Sequence, residues 1–232
     1  MRIVFFALVA SLLLSCKNNN SNVDETLKTN NEETSLTPAQ QIAQSTGLSV
    51  WDDVEEIQFT FNVSRFGEKI MDRNWTWNVK SGLIKLKSKQ KEVVYYRNKK
   101  MDSTALNADQ AFINDVYWLL PQFKLVWDKG TTLSTPIIKQ APISKDSLNM
   151  ITILYDNKVG YTPGDAYDLY YDQNNTVREW TYRKENDSLP TMQTTFEDYQ
   201  SYEGLNIATN HITLDGNTNI YFSDIKVIKS NE

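Results

Sequence analysis

An alternation of apolar and polar residues, repeated in short segments, is the feature that most constrains the fold of this chain. From position 57 to position 64 the odd-numbered residues are Ile, Phe, Phe and Val, and the even-numbered residues are Gln, Thr, Asn and Ser. Successive side chains of a strand point to opposite faces, so this pattern predicts a strand with one buried face. Similar patterns predict further strands at 74–79, 84–87, 93–97, 123–127, 148–155, 166–172, 177–183, 192–199, 205–214 and 220–228.

Short turns separate most of these segments. Lys80-Ser81-Gly82, Asp128-Lys129-Gly130 and Asp215-Gly216-Asn217 contain residues that are favoured in turns. Parallel strands need crossover connections of a dozen or more residues, which these turns do not offer. The sequence therefore predicts an antiparallel meander.

Two helices interrupt the strand pattern. Thr37-Pro38-Ala39-Gln40 has a cap residue, proline at the first helical position and glutamine three residues after the cap, and Gly47 is placed to end this helix. Apolar residues recur at helical spacing over 107–120, and Pro121 follows them. We predict an α+β fold, mostly antiparallel β, in which a curved meander sheet forms a half barrel with an apolar concave side and two or three covering helices.

The N-terminal residues predict export from the cytoplasm. Residues 1–15 have the composition of a signal peptide, with Arg2 before an apolar run that is too short to span a bilayer. This run ends in Leu13-Leu14-Ser15-Cys16, which closely resembles the bacterial lipobox. The resemblance implies cleavage before Cys16 and a membrane anchor of acyl chains on that cysteine. Residues 16–36 are polar and indicate a disordered tether, and residues 37–232 are predicted to form a single β domain.

Charge and cysteine content limit the partners and the location. The net charge of −5 offers no basic surface for nucleic acid, and the single cysteine excludes a disulfide within the chain. Lys17 follows the lipidated cysteine in place of the aspartate that resembles an inner-membrane retention signal. We therefore predict a lipid-anchored protein of the outer membrane, with the periplasmic and the surface-facing leaflet both open.

The order of elements also resembles a known family. Residues 47–63 (GLSVWDDVEEIQFTFNV), a mid-chain helix and a long closing meander resemble the lipoprotein-localisation (LolA/LolB-like) superfamily of carriers and outer-membrane receptors. Residues 112–128 (FINDVYWLLPQFKLVWD) and 160–172 (GYTPGDAYDLYYD) are similar to segments of uncharacterised outer-membrane lipoproteins of that superfamily. The resemblance covers residues 38–228. It implies a concave apolar sheet under helices, able to hold acyl chains or to recognise a partner.

Aromatic residues are the main candidates for a binding site. The sequence has 6 tryptophans, 12 tyrosines and 9 phenylalanines. Large rigid rings suit an apolar ligand cavity, but they also fill ordinary β cores, so a hollow and a packed interior both stay open. The residues predicted to line a ligand site are Trp75, Trp77, Phe123, Trp127 and Trp180.

Acidic residues offer a second, polar candidate. Asp165 and Asp168 could bind a cation or work as an acid/base pair with Glu179 across a hairpin, or they could cap a turn and line a wet strand face. His211 is the single histidine and is predicted as a partly buried strand residue. The sequence has no Gly-x-Ser-x-Gly elbow, phosphate-binding glycine loop or dinucleotide fingerprint, and no metal or cofactor is predicted.

These observations predict a cell-envelope lipoprotein that binds an acyl chain, another apolar ligand or an envelope protein partner on the concave face of its sheet, without catalysis. Two alternatives remain. The protein could be an envelope hydrolase that uses the acidic residues around Asp165, or a purely structural or regulatory envelope module.

Overall fold

The computed structural model describes residues 35–89, 91–158 and 160–230. The predicted signal peptide, Cys16 and nearly all of the predicted tether lie outside the described residues. The described helices are α1 (Pro38–Ser45), α2 (Ser103–Leu119) and α3 (Pro121–Trp127), with short 3₁₀ turns at Leu48–Asp53 and Lys184–Asn186. The strands are β1 (Val54–Arg65), β2 (Glu68–Asn78), β3 (Leu83–Lys87), β4 (Glu92–Tyr96), β5 (Thr131–Leu133), β6 (Ile137–Gln140), β7 (Ser147–Tyr155), β8 (Ala166–Tyr171), β9 (Val177–Arg183), β10 (Met192–Thr195), β11 (Glu197–Tyr202), β12 (Leu205–Ile212) and β13 (Thr218–Lys229).

The strands form two curled, open antiparallel sheets. The first has the order β11-β12-β13-β1-β2-β3-β4, and the second has the order β10-β9-β8-β7-β5, with β6 also paired to β7. The two sheets approach each other at a bridge between Thr194 and Thr213. The predicted α+β half barrel is confirmed, although its meander is divided between two sheets.

The predicted first helix is confirmed together with its cap. The Gln40 backbone N–H donates to the Thr37 hydroxyl (3.3 Å), and the Gln40 side-chain oxygen accepts from the Thr37 backbone N–H (2.8 Å). These reciprocal bonds satisfy two backbone donors that have no partner within the helix. Gly47 follows the helix with φ of +100°, a conformation that glycine adopts without steric cost.

The prediction of a strand at 123–127 is wrong, because these residues form helix α3. Pro121 stands at the first position of that helix, where its missing N–H costs no hydrogen bond. Five consecutive residues, 121–125, are buried. A short helix buried on all sides shows no reliable period in its sequence, so an apparent alternation does not indicate a strand.

Three other features of the secondary structure also differ from the predictions. Helix α2 begins at Ser103 instead of 107, because the Asp102 carboxylate caps it by accepting from the Ala105 backbone N–H (2.8 Å). The strand predicted at 192–199 is split at Phe196, where the chain leaves the second sheet and enters the first. The short edge strands β5 and β6 were not predicted.

Helices α2 and α3 pack between the two sheets and close one hydrophobic core. In α2, Phe112 contacts Trp75 of the first sheet, with ring centroids 5.3 Å apart. Trp118, two turns further along, contacts Trp180 of the second sheet at 4.4 Å. The helices therefore occupy much of the concave side, for which the sequence left both a hollow and a packed interior open.

Candidate functional site

A cleft of about 580 Å³ remains between α2, α3 and the sheet of β7 to β10. This volume is within the range of about 300–1,000 Å³ that is common for small-molecule sites. The loop at Gly160–Thr162 and Arg97, which directly follows β4, complete its border. The aromatic residues that line the cleft are Tyr117, Trp118, Trp127, Tyr155, Tyr161, Tyr167, Trp180 and Tyr182.

One wall of the cleft is a single stripe of helix α2. Gln110, Ile113, Asn114 and Tyr117 all border the cleft. Their spacing of three and four residues places them on the same face of the helix. A stripe of this kind is also typical of a core helix, so the sequence alone could not show that part of it faces a space.

The opposite wall is built from neighbouring strands of the second sheet. Tyr167 of β8 pairs directly with Tyr182 of β9. The rings of these two residues stack at 5.0 Å, and the Tyr117 ring of α2 stacks on Tyr167 at 4.4 Å with an interplanar angle of 28°. Contacts among large rings hold both walls in fixed orientations, so the cleft is preformed.

Polar groups lie at the α3 end of the cleft. The Tyr155 hydroxyl donates to Asp128 Oδ2 (2.6 Å), and Lys124 Nζ lies 3.5 Å from Asp128 Oδ1. Burial raises the pKa of Tyr155 and of Tyr117 well above the ordinary tyrosine value, so both hydroxyls stay neutral at physiological pH. Burial also lowers the pKa of Lys124.

A second polar group lies at the Arg97 border. The Asp109 carboxylate accepts from Arg97 Nε (2.8 Å) and from the hydroxyls of Tyr95 (3.1 Å) and Tyr161 (3.0 Å). Asp109 is buried, so these donors offset the cost of removing its charge from water. The bond from Tyr161 ties the Gly160–Thr162 loop to helix α2.

Of the five predicted lining residues, two border the cleft and three lie elsewhere. Trp127 and Trp180 border the cleft, and whether they contact a ligand stays a prediction. Trp75 is fully buried and donates from Nε1 to Asp115 Oδ2 (2.7 Å). Phe123 lies in the core as well, and Trp77 is half-buried against it; each of the two packs on Trp51 at 5.4 Å. Because the helices cover the first sheet, its inward-facing rings pack on helix residues and do not border the space.

The three predicted polar-site carboxylates each have separate partners. Asp165 accepts from the Tyr182 hydroxyl and the Glu185 backbone N–H, both at 2.9 Å. Asp168 accepts from Arg183 Nε (3.0 Å) and from the Thr152 hydroxyl (2.7 Å).

Glu179 accepts from the backbone N–H groups of Ile143 (2.6 Å) and Ser144 (2.8 Å). The contacts of Asp165, Asp168 and Glu179 are those of residues that hold loops and strands in place. Within the described ranges, no group of three or more His, Cys, Asp or Glu side chains is placed to hold a metal ion.

His211 is more deeply buried than predicted. It is fully buried among Trp118, Phe196 and Phe222. Nδ1 lies 3.2 Å from the Thr195 backbone oxygen, which can only accept, so Nδ1 carries the proton. Burial lowers the pKa of His211 to about 3. The neutral ring is therefore part of the core.

Sequence reasoning missed most of the residues that line the cleft. The helical spacing at 107–120 includes Tyr117, and the strand patterns include Tyr155, Tyr167 and Tyr182, but the sequence assigns none of them to a site. Lys124 gives no signal, because the pattern at 123–127 predicts a strand. The high tyrosine content is the one available indication.

No helix in the described part of the chain is both long enough and apolar enough to cross a bilayer.

No protein-family model and no curated protein matches this sequence. The similar solved structures include three that each have 10% sequence identity and each match 84% of this chain. They are a LolA superfamily protein from Nitrosomonas europaea (TM-score 0.47, 96% of that chain), a domain assigned to outer-membrane lipoprotein sorting from Vibrio parahaemolyticus (0.44, 95%) and a DUF1329 family protein from Desulfovibrio piger (0.43, 92%). One of these three bears the name of the superfamily that residues 38–228 resemble.

Proposed function

We propose that this protein binds an acyl chain or another apolar ligand in the cleft between α2, α3 and the sheet of β7 to β10, and that it does so at the cell envelope without chemical turnover. The observation that carries the proposal is the preformed aromatic cleft of about 580 Å³. Burial of apolar ligand surface against such walls contributes about 25 cal/mol per Å². Preorganised walls lose little conformational entropy on binding.

The polar groups around the cleft support binding over catalysis. Asp109, Asp165 and Asp168 are buried and each accepts two or more hydrogen bonds from protein donors. The oxygens of these carboxylates are occupied by protein donors, which is typical of residues with a structural role rather than of a general base that faces a substrate. The hydroxyl of Tyr117, whose pKa burial raises further above its ordinary value, is neutral and can hydrogen-bond to a ligand.

The same proposal includes the anchor and the domain boundaries. Cleavage after residue 15, acylation of Cys16 and a tether at 16–36 would hold the binding domain near a membrane that supplies acyl ligands. Metabolic labelling with a radioactive fatty acid tests this step. We expect fatty-acid label in the wild-type protein and none in Cys16→Ser.

The binding step is tested on the mature chain from residue 16 with Cys16→Ser, purified without detergent. Native and denaturing mass spectrometry would detect a stoichiometric acyl species that co-purifies, and a fluorescent fatty acid would be titrated into the delipidated protein. We expect saturable binding with one site.

Two variants localise the binding. Ile113→Trp replaces an aliphatic side chain on the cleft wall of α2 with a bulkier indole ring and should weaken binding at least tenfold. Ile137→Trp adds the same ring at an exposed position of β6 and should not change it. Absence of both co-purified lipid and fatty-acid uptake would refute the proposed function, and equal binding by the two variants would refute the location.

A further inference from the structure

Lys124 is a charged side chain in an unusual place. It lies on helix α3, borders the cleft and is only 6% exposed. Lysine is almost never this deeply buried unless its charge is paired, because removal of an ammonium from water costs several kcal/mol. The position of Lys124 therefore requires a compensating group.

The compensation from the described protein groups is partial. The ion-pair partner of Lys124 is Asp128, with Nζ 3.5 Å from Oδ1, beyond the usual N–H···O range. The other oxygen of Asp128 accepts the Tyr155 hydroxyl at 2.6 Å, so this carboxylate is shared. An ammonium has three donors. The Tyr117 ring adds a weak contact, with its centroid 5.9 Å from Nζ.

The charged residues that line the cleft itself are mostly cationic. Three of the four are Arg97, Lys124 and Lys129, against Asp128. Arg97 is already paired with Asp109 at 2.8 Å. Burial of the amine and, to a smaller extent, the nearby Arg97 charge lower the pKa of Lys124, while Asp128 acts in the opposite direction. An anion in the cleft would add to the effect of Asp128 and favour the charged form.

We propose that the ligand of the cleft is a single-chain amphiphile with an anionic head, whose head pairs with the ammonium of Lys124 while its apolar chain packs against the aromatic walls. This inference rests on the proposed function and specifies the ligand of that same site. Burial of the ion pair away from water makes it stronger than a surface pair. The Tyr155 hydroxyl holds Asp128 in place beside Lys124.

The test uses three ligands that share a dodecyl chain and differ in head charge: dodecanoate, dodecanol and dodecyltrimethylammonium. Each is titrated calorimetrically, below its micelle-forming concentration, into the detergent-free mature chain with Cys16→Ser. We expect dodecanoate to bind roughly tenfold to a hundredfold more tightly than dodecanol, the range for one charge-assisted hydrogen bond. Dodecyltrimethylammonium should bind most weakly.

A matched pair of variants assigns the preference to Lys124. Lys124→Met retains the apolar stem and removes the charge, so it should abolish the preference for dodecanoate and leave dodecanol binding unchanged. Lys139→Met removes the same charge from an exposed position on β6, outside the cleft, and should retain the preference. Lys124→Gln serves in place of Lys124→Met if the latter does not fold.

The outcomes separate the two proposals. Equal affinity of the wild-type protein for dodecanoate and dodecanol would overturn the anionic ligand while leaving the proposed function intact. Retention of the preference in both Lys124 variants would overturn the role of this lysine. Failure of all three ligands to bind would count against the proposed function itself.

Discussion

At the scale of single residues, the burial of His211 in the aromatic core makes the stability of the protein depend on pH. Its fully buried ring contacts Trp118, which also borders the cleft, and its Nε2 has no hydrogen-bond partner among the described residues. Burial lowers the pKa of His211 from its ordinary 6.5 to about 3. Between these values the unfolded chain binds a proton that the folded protein does not, so stability is present above pH 6.5 and is lost as the pH falls.

We predict that the free energy of unfolding falls by about 2 kcal/mol between pH 7 and pH 5 because of His211 alone. Urea denaturation at each pH gives the free energy of unfolding of the wild-type protein and of His211→Phe. The contribution of His211 is the difference between the two proteins in how this free energy changes with pH. The sequence has one histidine, so other titrating groups contribute equally to both proteins. Parallel pH profiles would show that His211 is not held neutral by burial.

At the scale of elements, the connection after α1 depends on a close approach of two backbones. Gly47 has φ of +100°, and a Cβ atom placed there would lie 2.2 Å from the backbone oxygen of Gly204, in the turn between β11 and β12. A hydrogen bond from the Asn206 N–H to the Thr46 oxygen (2.9 Å) holds the two segments together. This contact joins the first helix to the edge of the first sheet.

We predict that Gly47→Ala destabilises the protein much more than Gly67→Ala. Gly67 also has positive φ (+82°), but a Cβ atom there would meet nothing within 4 Å. Both substitutions carry the backbone cost of about 1–2 kcal/mol, and Gly47→Ala adds an overpacking cost of about 1–3 kcal/mol. Denaturant midpoints of the two variants measure the difference, and equal midpoints would show that the approach to Gly204 relaxes without cost.

At the scale of the whole molecule, the two sheets share one core. Buried side chains of the first sheet, of helices α1 to α3 and of the second sheet form a single cluster. Helix α2 contacts both sheets through Phe112 and Trp118. Neither sheet retains a covered apolar face if the helices leave, so the sheets depend on the same helices for their stability.

We predict that the two sheets open together. In hydrogen exchange under native conditions, the slowest amides of β1 and β13 should have the same opening free energy as those of β8 and β9, equal to the global free energy of unfolding. The edge strand β6 should exchange faster, since all four of its residues are exposed. A lower opening free energy for β8 and β9 than for β1 and β13 would show that the second sheet unfolds separately.

Much of the fold is determined by short-range chemistry that the sequence shows directly. The apolar positions of the alternation reappear as the buried residues Ile57, Phe59 and Phe61 of β1, although Thr60 and Asn62 of the other face are buried as well. The cap at Thr37 begins helix α1 as predicted. Turn residues at 80–82 and 215–217 separate strands that pair as neighbours. In each case the physical cause acts over a few residues, so the pattern is sufficient.

Tertiary structure alone decided what covers each buried face. Alternation identifies Trp75 and Tyr167 as inward-facing, but only the path of α2 and α3 makes the first a packed core residue and the second a wall of the cleft. The segment around Lys124, which the sequence predicts as a strand, forms helix α3 and supplies the buried, charged end of the site. The periodic pattern of apolar residues shows which side chains are buried. A binding site depends in addition on which side chains, distant in the sequence, those residues contact.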